Sequence, residues 1–271
     1  MRPFVKWPGG KYKLVEHIKS AVSQLSDNNC RLVEPFVGSG ALFLNTSYKA
    51  YLLCDINADL INLYKNLQTY KHEFIKYAKS FFTPENNTSD RYYYLRELFN
   101  SSIKEKDTVL SSALFLYLNR HGYNGLIRYN KEGKFNVPFG KYLKPYFPEK
   151  EMLFFLKKCE NAEVEFKVQD FRETFKELKL NDIVYCDPPY VPLSDTANFA
   201  SYTKEGFDLK DQKDLLKCAK EASQKGIPVI ISNHNSSFVM ENYDTTMIIV
   251  EVRRHISCKE RNKVKEVIAM F

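Results

Sequence analysis

The chain has 271 residues, 44% of them hydrophobic and 27% charged, and a formal net charge of +7. That length buries a full core, as one large α/β domain with an insert or as two small domains. Ordinary hydrophobic content and no apolar run near ~20 residues exclude a membrane-spanning protein, and six cysteines without a C-x-x-C spacing fit neither a zinc site nor a disulfide framework.

The chain opens on Lys6-Trp7-Pro8-Gly9-Gly10-Lys11, a loop, and a helix is predicted from about Tyr12 to Leu25. The loop reads either as a basic helix lead-in or as a carrier of the only Trp and two cations toward an anionic ligand. Arg31 to Glu34 reads as a short buried strand. Pro35-Phe36-Val37-Gly38-Ser39-Gly40 is a glycine-rich turn, followed by a predicted helix over 41–46 and a second strand, Tyr51 to Cys54, that ends at Asp55. Strand, glycine turn, helix and a later acid outline a nucleoside-binding α/β unit, because glycine lets the backbone approach a ligand and the acid takes ribose hydroxyls. The third position after Gly40 is Phe43, so the dinucleotide pattern is incomplete. A ligand with ribose but no phosphate suits it better, and S-adenosylmethionine is the common one. Asp55 also reads as a helix cap.

Helical periodicity then predicts helices over 58–68, 70–82, 89–102 and 107–120. Residues 121–148 break the pattern with alternating Gly and Pro, and tyrosines and phenylalanines lie among the basic residues. This segment reads as a loop or hairpin. Arg pairs with guanine, Asn with a base edge, and Tyr wedges between bases, so Asn119 to Lys141 suits DNA recognition. It also reads as an aromatic-rich structural hairpin. Residues 120–144, 253–265 and 1–13 are locally basic, and three such segments suit one polyanion-binding groove.

A helix is predicted near 149–160, then strands at 163–168, 183–186 and 228–232, with a helix over 209–224 between the last two. Two late strands are expected at 246–253 and 265–270. Cys54 and Cys186 lie in apolar runs and read as small buried hydrophobes. After the strand Ile183 to Cys186 comes Asp187-Pro188-Pro189-Tyr190. Neither proline has an N–H to give to a ladder, so a buried strand runs into a stiff turn with an acid before it and an aromatic ring after it. Such a turn suits an amino group that must be held and made nucleophilic. The bland alternative is a strand stop with proline punctuation. The five histidines show no metal-binding spacing, and no metal is expected.

The alternation predicts an α/β fold with a mostly parallel sheet and an inserted, mostly helical domain. The predicted boundaries are 1–56 plus 151–271 for the cofactor-binding catalytic domain and 57–150 for the insert.

Lys-Trp-Pro-Gly-Gly-Lys, Glu-Pro-Phe-Val-Gly-Ser-Gly, Asn-Arg-His-Gly-Tyr-Asn-Gly and Asp-Pro-Pro-Tyr, in that order, resemble the DNA adenine-N6 methyltransferases of the Dam type, which modify adenine in GATC. The likeness runs from about residue 4 to the end. It implies that the sheet is a Rossmann-like one of the S-adenosylmethionine-dependent methyltransferase kind and that the insert is a recognition domain carrying a hairpin. It implies transfer of a methyl group from S-adenosylmethionine to a flipped adenine in duplex DNA. It assigns Trp7, Lys11, Phe36, Gly38, Gly40, Asp55 and Asp187 to the cofactor. Asp187, Pro188, Pro189 and Tyr190 hold the adenine. Tyr123 intercalates, Asn124 meets the unpaired thymine, Leu126, Arg128 and Pro138 read the second half of the site, and Lys6 reads the first guanine. Arg96, Arg120, Asn136 and Lys141 are assigned to phosphates. A monomer without a metal, membrane or obligate protein partner is expected, in a reducing cytoplasm given free thiols and no signal-peptide pattern. Departures from the family are Pro8 in place of Ala, His121 in place of Tyr, Lys141 in place of Arg, and Cys-Lys-Glu-Arg-Asn in place of a Gly-containing loop at 257–263. Two rival readings are a related methyltransferase acting on RNA or a protein amide, and a DNA-binding relative that has lost catalysis. Asp187 weighs against the amide reading, since glutamine methyltransferases carry Asn ahead of the two prolines.

Overall fold

The computed structural model describes residues 1–9, 11, 14–25, 29–101, 108–190, 207–253 and 263–271. Gly10, the expected helix start at Tyr12, the helix limits at 102 and 107, most of the basic segment 253–265 and the divergent loop up to Asn262 lie outside the described residues.

Seven strands form one sheet: β1 (Arg31–Glu34), β2 (Ala50–Asp55), β3 (Glu163–Val168), β4 (Asp182–Cys186), β5 (Val229–His234), β6 (Thr246–Arg253) and β7 (Lys263–Met270). Their order is β3-β2-β1-β4-β5-β7-β6. The first five are parallel, and β7 runs antiparallel to both β5 and β6. The mostly parallel α/β sheet expected from the alternation of strands and helices is therefore present.

Period-two alternation sorts the strand side chains into two cores. Leu32, Leu53, Ile183, Tyr185, Ile230 and Ile268 join one core with α1 (Val15–Leu25), α2 (Ala58–Lys79), α3 (Ser89–Ser101), α4 (Val109–His121) and α5 (Glu149–Glu160). Val33, Leu52, Cys54, Val184, Cys186, Val229, Ile231 and Val267 join the other, with α6 (Phe171–Lys176), α7 (Leu209–Gln224) and α8 (Ser237–Asn242). Cys54 and Cys186 are fully buried, as apolar fillers. Helices α2 to α5 thus share a single core with the sheet.

Local differences from the expected elements have local causes. Residues 41–46 form only a short 3-10 turn at Phe43–Asn45. Asn45 and Thr46 donate their side chains back to the carbonyls of Ala41 and Leu42, which competes with further helical bonds. The two helices expected at 58–68 and 70–82 are continuous but for a break at Lys71, whose φ is 46°. Helices α6 and α8 are six residues each, too short to show a period, and are marked only by the caps Asp170 and Ser236.

Chain order places the site. From β1 the chain moves outward to β2 and β3, then returns to β4 on β1's other side. The carboxyl ends of β1 and β4 therefore flank the reversal of strand order, where open α/β sheets bind ligands.

Candidate active site and nucleic-acid interface

At the end of β2, Asp55 turns its carboxylate back toward the β1 turn. Its Oδ2 accepts from Gly38 N at 3.0 Å and its Oδ1 from Asn57 N at 3.0 Å. Gly38 is held from its other side by Tyr64, whose hydroxyl donates to Gly38 O at 2.7 Å. With φ of +47°, Gly38 occupies a conformation suited to glycine, and a Cβ there would lie 3.0 Å from the Trp7 indole. The glycine thus lets Trp7 from the first loop lie against the turn. Burial raises Asp55 to about 6, despite bonds from the amides of Asn57, Gly38 and Ile56. The carboxylate is still ionised at neutral pH, and it meets backbone donors rather than a cation. Such an acid suits neutral hydroxyl donors. Phe36 packs against the rings of Phe171 and Phe207 beneath the same turn, and Gly40 has φ +70°.

The second centre follows β4. Asp187 forms an ion pair with Lys11 at 2.8 Å and accepts from Ser232 Oγ at 3.0 Å. Burial raises its pKa, while Lys11 and Ser232 oppose that shift. The Lys11 ammonium, which also donates to Gly9 O at 2.8 Å, sits 4.3 Å from the centroid of the Tyr190 ring. The Tyr190 hydroxyl donates to Glu266 on β7 at 2.7 Å, and His234 packs edge-on against the ring. Burial raises the Tyr190 phenol well above its ordinary range, so it stays a neutral donor. The turn itself is fastened by Gln212, whose amide donates to Pro189 O at 2.7 Å and is braced by Asn233. A carboxylate, a rigid turn and a fixed ring thus surround one position, now taken by a cation that fills both the acceptor and the ring face. An amine on a flat heterocycle would use the same two surfaces.

Glu34, at the end of β1, lies under both centres. It is fully buried, its Oε1 has no hydrogen-bond partner, and burial pushes its pKa up to about 8. The folded protein holds a proton that the unfolded chain has lost between pH 4.5 and about 8. The stabilisation from this group is complete below the lower value and disappears as pH rises through the upper one. Glu34→Gln, which stays neutral, is expected to flatten the decline of stability across that window. Urea unfolding of both proteins over this range checks it. Equal pH slopes for the two would mean that Glu34 is ionised in the fold.

The hairpin stands beside these centres. Tyr123, Asn124, Arg128, Pro138 and Lys141 are exposed, and Leu126 is partly so. Asn124 takes a left-handed φ of 53°, which Asn tolerates at a turn tip. Arg128 is braced across the hairpin by Asn136, with Nε donating to Oδ1 at 2.8 Å and Nη2 to the backbone O at 2.9 Å. Lys6 lies beneath the turn, its aliphatic stem against Gly125 and its ammonium 4.6 Å from the Tyr142 ring centroid. Its backbone is clamped by Asn119, which accepts from Lys6 N and donates to Lys6 O and Gly125 O. One buried amide thus ties the first loop to the hairpin.

Three of the four expected phosphate contacts have internal partners. Arg120 is buried, donates to Phe4 O, and lies over the Tyr146 ring. Asn136 serves Arg128. Arg96 is half-buried and donates to Val137 O at 3.3 Å. Sequence reasoning assigned no role to Ser232, Glu266 or Gln212, and it placed Asn119 in the segment suited to DNA recognition rather than in a clamp on the first loop. The signal for Ser232 and Asn119 is a polar residue at an apolar run, as in Val229-Ile230-Ile231-Ser232-Asn233, whereas Gln212 and Glu266 lie among charged residues and carry none. Among the described residues, no His, Cys, Asp and Glu cluster is placed to hold a metal, and no helix is long and apolar enough to cross a membrane.

Residues 7–256 match the family described as D12 class N6 adenine-specific DNA methyltransferase. A DNA adenine methylase of Vibrio cholerae is 48% identical over 274 residues, covering 100% of this chain and 96% of that protein. The DNA adenine methylase of Serratia marcescens is 46% identical, with 100% and 98% covered. That of Escherichia coli K12 is 45% identical, with 100% and 95% covered.

Proposed function

The chain belongs to the D12 class N6 adenine-specific DNA methyltransferases, and on that premise we propose that it methylates adenine N6 in duplex GATC, with S-adenosylmethionine as donor and with the target base flipped out. The observation that carries the reading is the meeting of Asp187, Tyr190 and Lys11 at the switch point, next to the Gly38–Asp55 cradle.

The residues present fit the cofactor. Asp55 accepts from backbone amides and keeps lone pairs for ribose hydroxyls, Gly38 and Gly40 keep the turn open, and Trp7, Phe36 and Lys11 border it. When bound, the cofactor supplies an electrophilic sulfonium methyl.

The chain's own part is orientation. The adenine amine is a weak nucleophile because its lone pair is delocalised into the ring. Asp187 accepts one amino hydrogen and the Pro188 carbonyl the other, which favours a pyramidal nitrogen with an available lone pair. Pro189, held by Gln212, keeps the turn rigid, and Tyr190 stacks on the base with its hydroxyl fixed by Glu266. For the amine to reach Asp187, Lys11 must withdraw. Extracting the base from the stack costs a few kcal/mol. Tyr123 fills the vacated stack, Asn124 faces the unpaired thymine, and Leu126, Arg128, Pro138 and Lys6 read base edges. Arg96 and Lys141 lie beside the phosphates. Residues 57–150 serve recognition, and 1–56 with 151–271 serve catalysis, in a cytoplasmic monomer.

Transfer of labelled methyl from S-adenosylmethionine to duplexes with GATC or a single-base variant tests this. Label is expected on GATC adenine at N6, at least tenfold faster than on any variant. Equal labelling of all duplexes would overturn the site assignment, and labelling of RNA alone would overturn the substrate.

A further inference from the structure

The two arms of the recognition hairpin are anchored to different parts of the protein. The arm 135–137, which meets the opposite arm at the Tyr129–Phe135 bridge, is bound to α3. Asn100 exchanges two hydrogen bonds with the Phe135 backbone, and Tyr92 donates to Val137 O at 3.0 Å. The opposite arm, which carries Arg128, reaches inward through its neighbour Tyr129. The Tyr129 hydroxyl donates to Asp59 Oδ2 at 2.6 Å. Asp59 is buried in the first turn of α2. That turn begins at the cap Asn57, whose amide donates to Asp55, whose other oxygen takes Gly38 N. Asp55, Asn57 and Asp59 thus lie on one short segment that touches the glycine turn at one end and the hairpin at the other.

We propose that Tyr129 is a positioning residue that, through Asp59, ties the register of the Arg128 arm to the cofactor turn, so that base discrimination at the Arg128 position sharpens when the cofactor pocket is filled. The inference rests on the functional reading above, in which Asp55 faces the cofactor and the hairpin meets DNA. The physical reason is a short, stiff path. A ligand hydroxyl accepted by Asp55 biases the Asp55–Asp59 segment, and the phenol–carboxylate bond passes that bias to the arm that carries Arg128, against an opposite arm that α3 holds and that Asn136 ties to Arg128. Coupling between two sites must also be reciprocal. Tyr129 is an apt group for this, since its half-buried ring packs edge-on against Phe135 while its hydroxyl reaches α2.

The test is Tyr129→Phe, which removes one oxygen and keeps the ring. Dissociation constants are measured by fluorescence anisotropy for a GATC duplex and for a duplex altered at the guanine opposite Arg128, each with and without saturating S-adenosylhomocysteine. In the wild type, discrimination is expected to rise at least fivefold on adding S-adenosylhomocysteine, within the range typical of coupled sites. In Tyr129→Phe the rise should fall below twofold, while S-adenosylhomocysteine affinity of the free protein stays within twofold. A purely structural bond would lower the thermal midpoint and leave that rise unchanged. If Tyr129→Phe fails to fold, Asp59→Ala removes the same bond from the other side, with the same expected loss. An unchanged rise in the folded variant overturns the inference alone, as does a wild type whose discrimination ignores S-adenosylhomocysteine. A wild type that binds neither probe overturns the functional reading and the inference together.

Discussion

Asp187→Ala is expected to slow methyl transfer on the order of 10³-fold in single turnover, as when one preorganised polar contact to the reacting group is removed. That is about 4 kcal/mol of barrier. The Asp187 carboxylate heads the Pro188-Pro189 turn, and Ser232 and Lys11 both point donors at it. A contact made to the attacking amine is felt in kcat more than in KM, so binding of S-adenosylhomocysteine and duplex should change little. The variant removes the carboxylate that pairs with the Lys11 ammonium and leaves its bond to Gly9 O, so thermal unfolding must accompany the assay. Near-normal single-turnover rates in a folded variant would remove Asp187 from the reaction. Because burial raises the Asp187 pKa, the acid limb of the wild-type rate profile is expected above the ordinary carboxylate range. The ionised form is the acceptor, and protonation removes it.

Arg128→Ala is expected to cost about 1–3 kcal/mol of discrimination at one base pair, tenfold or more in relative rate, with smaller changes on sequences already wrong there. Asn136 takes two of the five guanidinium N–H groups, which fixes the plane and leaves the outer edge for a bidentate contact. Lys144→Ala is the contrast. Lys144 is exposed at the margin of the same basic region, and as a phosphate contact it carries affinity without sequence information. Its loss should weaken binding evenly and reduce the salt slope by about one unit. Rates of both variants on GATC and each single-base variant decide. A common factor for Arg128→Ala on every duplex would make the hairpin an electrostatic or structural element.

The opposite behaviour of two neighbouring cations shows why basic composition says little by itself. Arg120 belongs to the same basic run as Arg128, yet it is buried against Phe4 O and Tyr146. Linear sequence gives charge and spacing but not which side of a chain segment faces water. Phosphate contacts were therefore the least legible assignments, while the exposed hairpin positions carried glycines, prolines and Asn124 whose backbone preferences mark a turn.

What the sequence determined by itself is what local chemistry controls. Apolar runs of four or five residues that end at Asp set strands β2 and β4, and the shorter Leu32-Val33 pair before Pro35 sets β1, because such segments have no local way to bury themselves. Two prolines after Cys186 stop a strand wherever they fall, and the glycines at 38 and 40 mark a turn. The order of these motifs also carried the family. Only the tertiary structure decided which polar groups meet. Lys11 reaches Asp187, Tyr190 reaches Glu266, Asn119 clamps Lys6, and Tyr129 reaches Asp59, at separations of 176, 76, 113 and 70 positions along the chain. No periodicity encodes such pairs. They exist because the sheet reverses its order at β1 and β4 and brings distant loops to one edge, where each buried donor or acceptor must find a partner or bear the cost of desolvation.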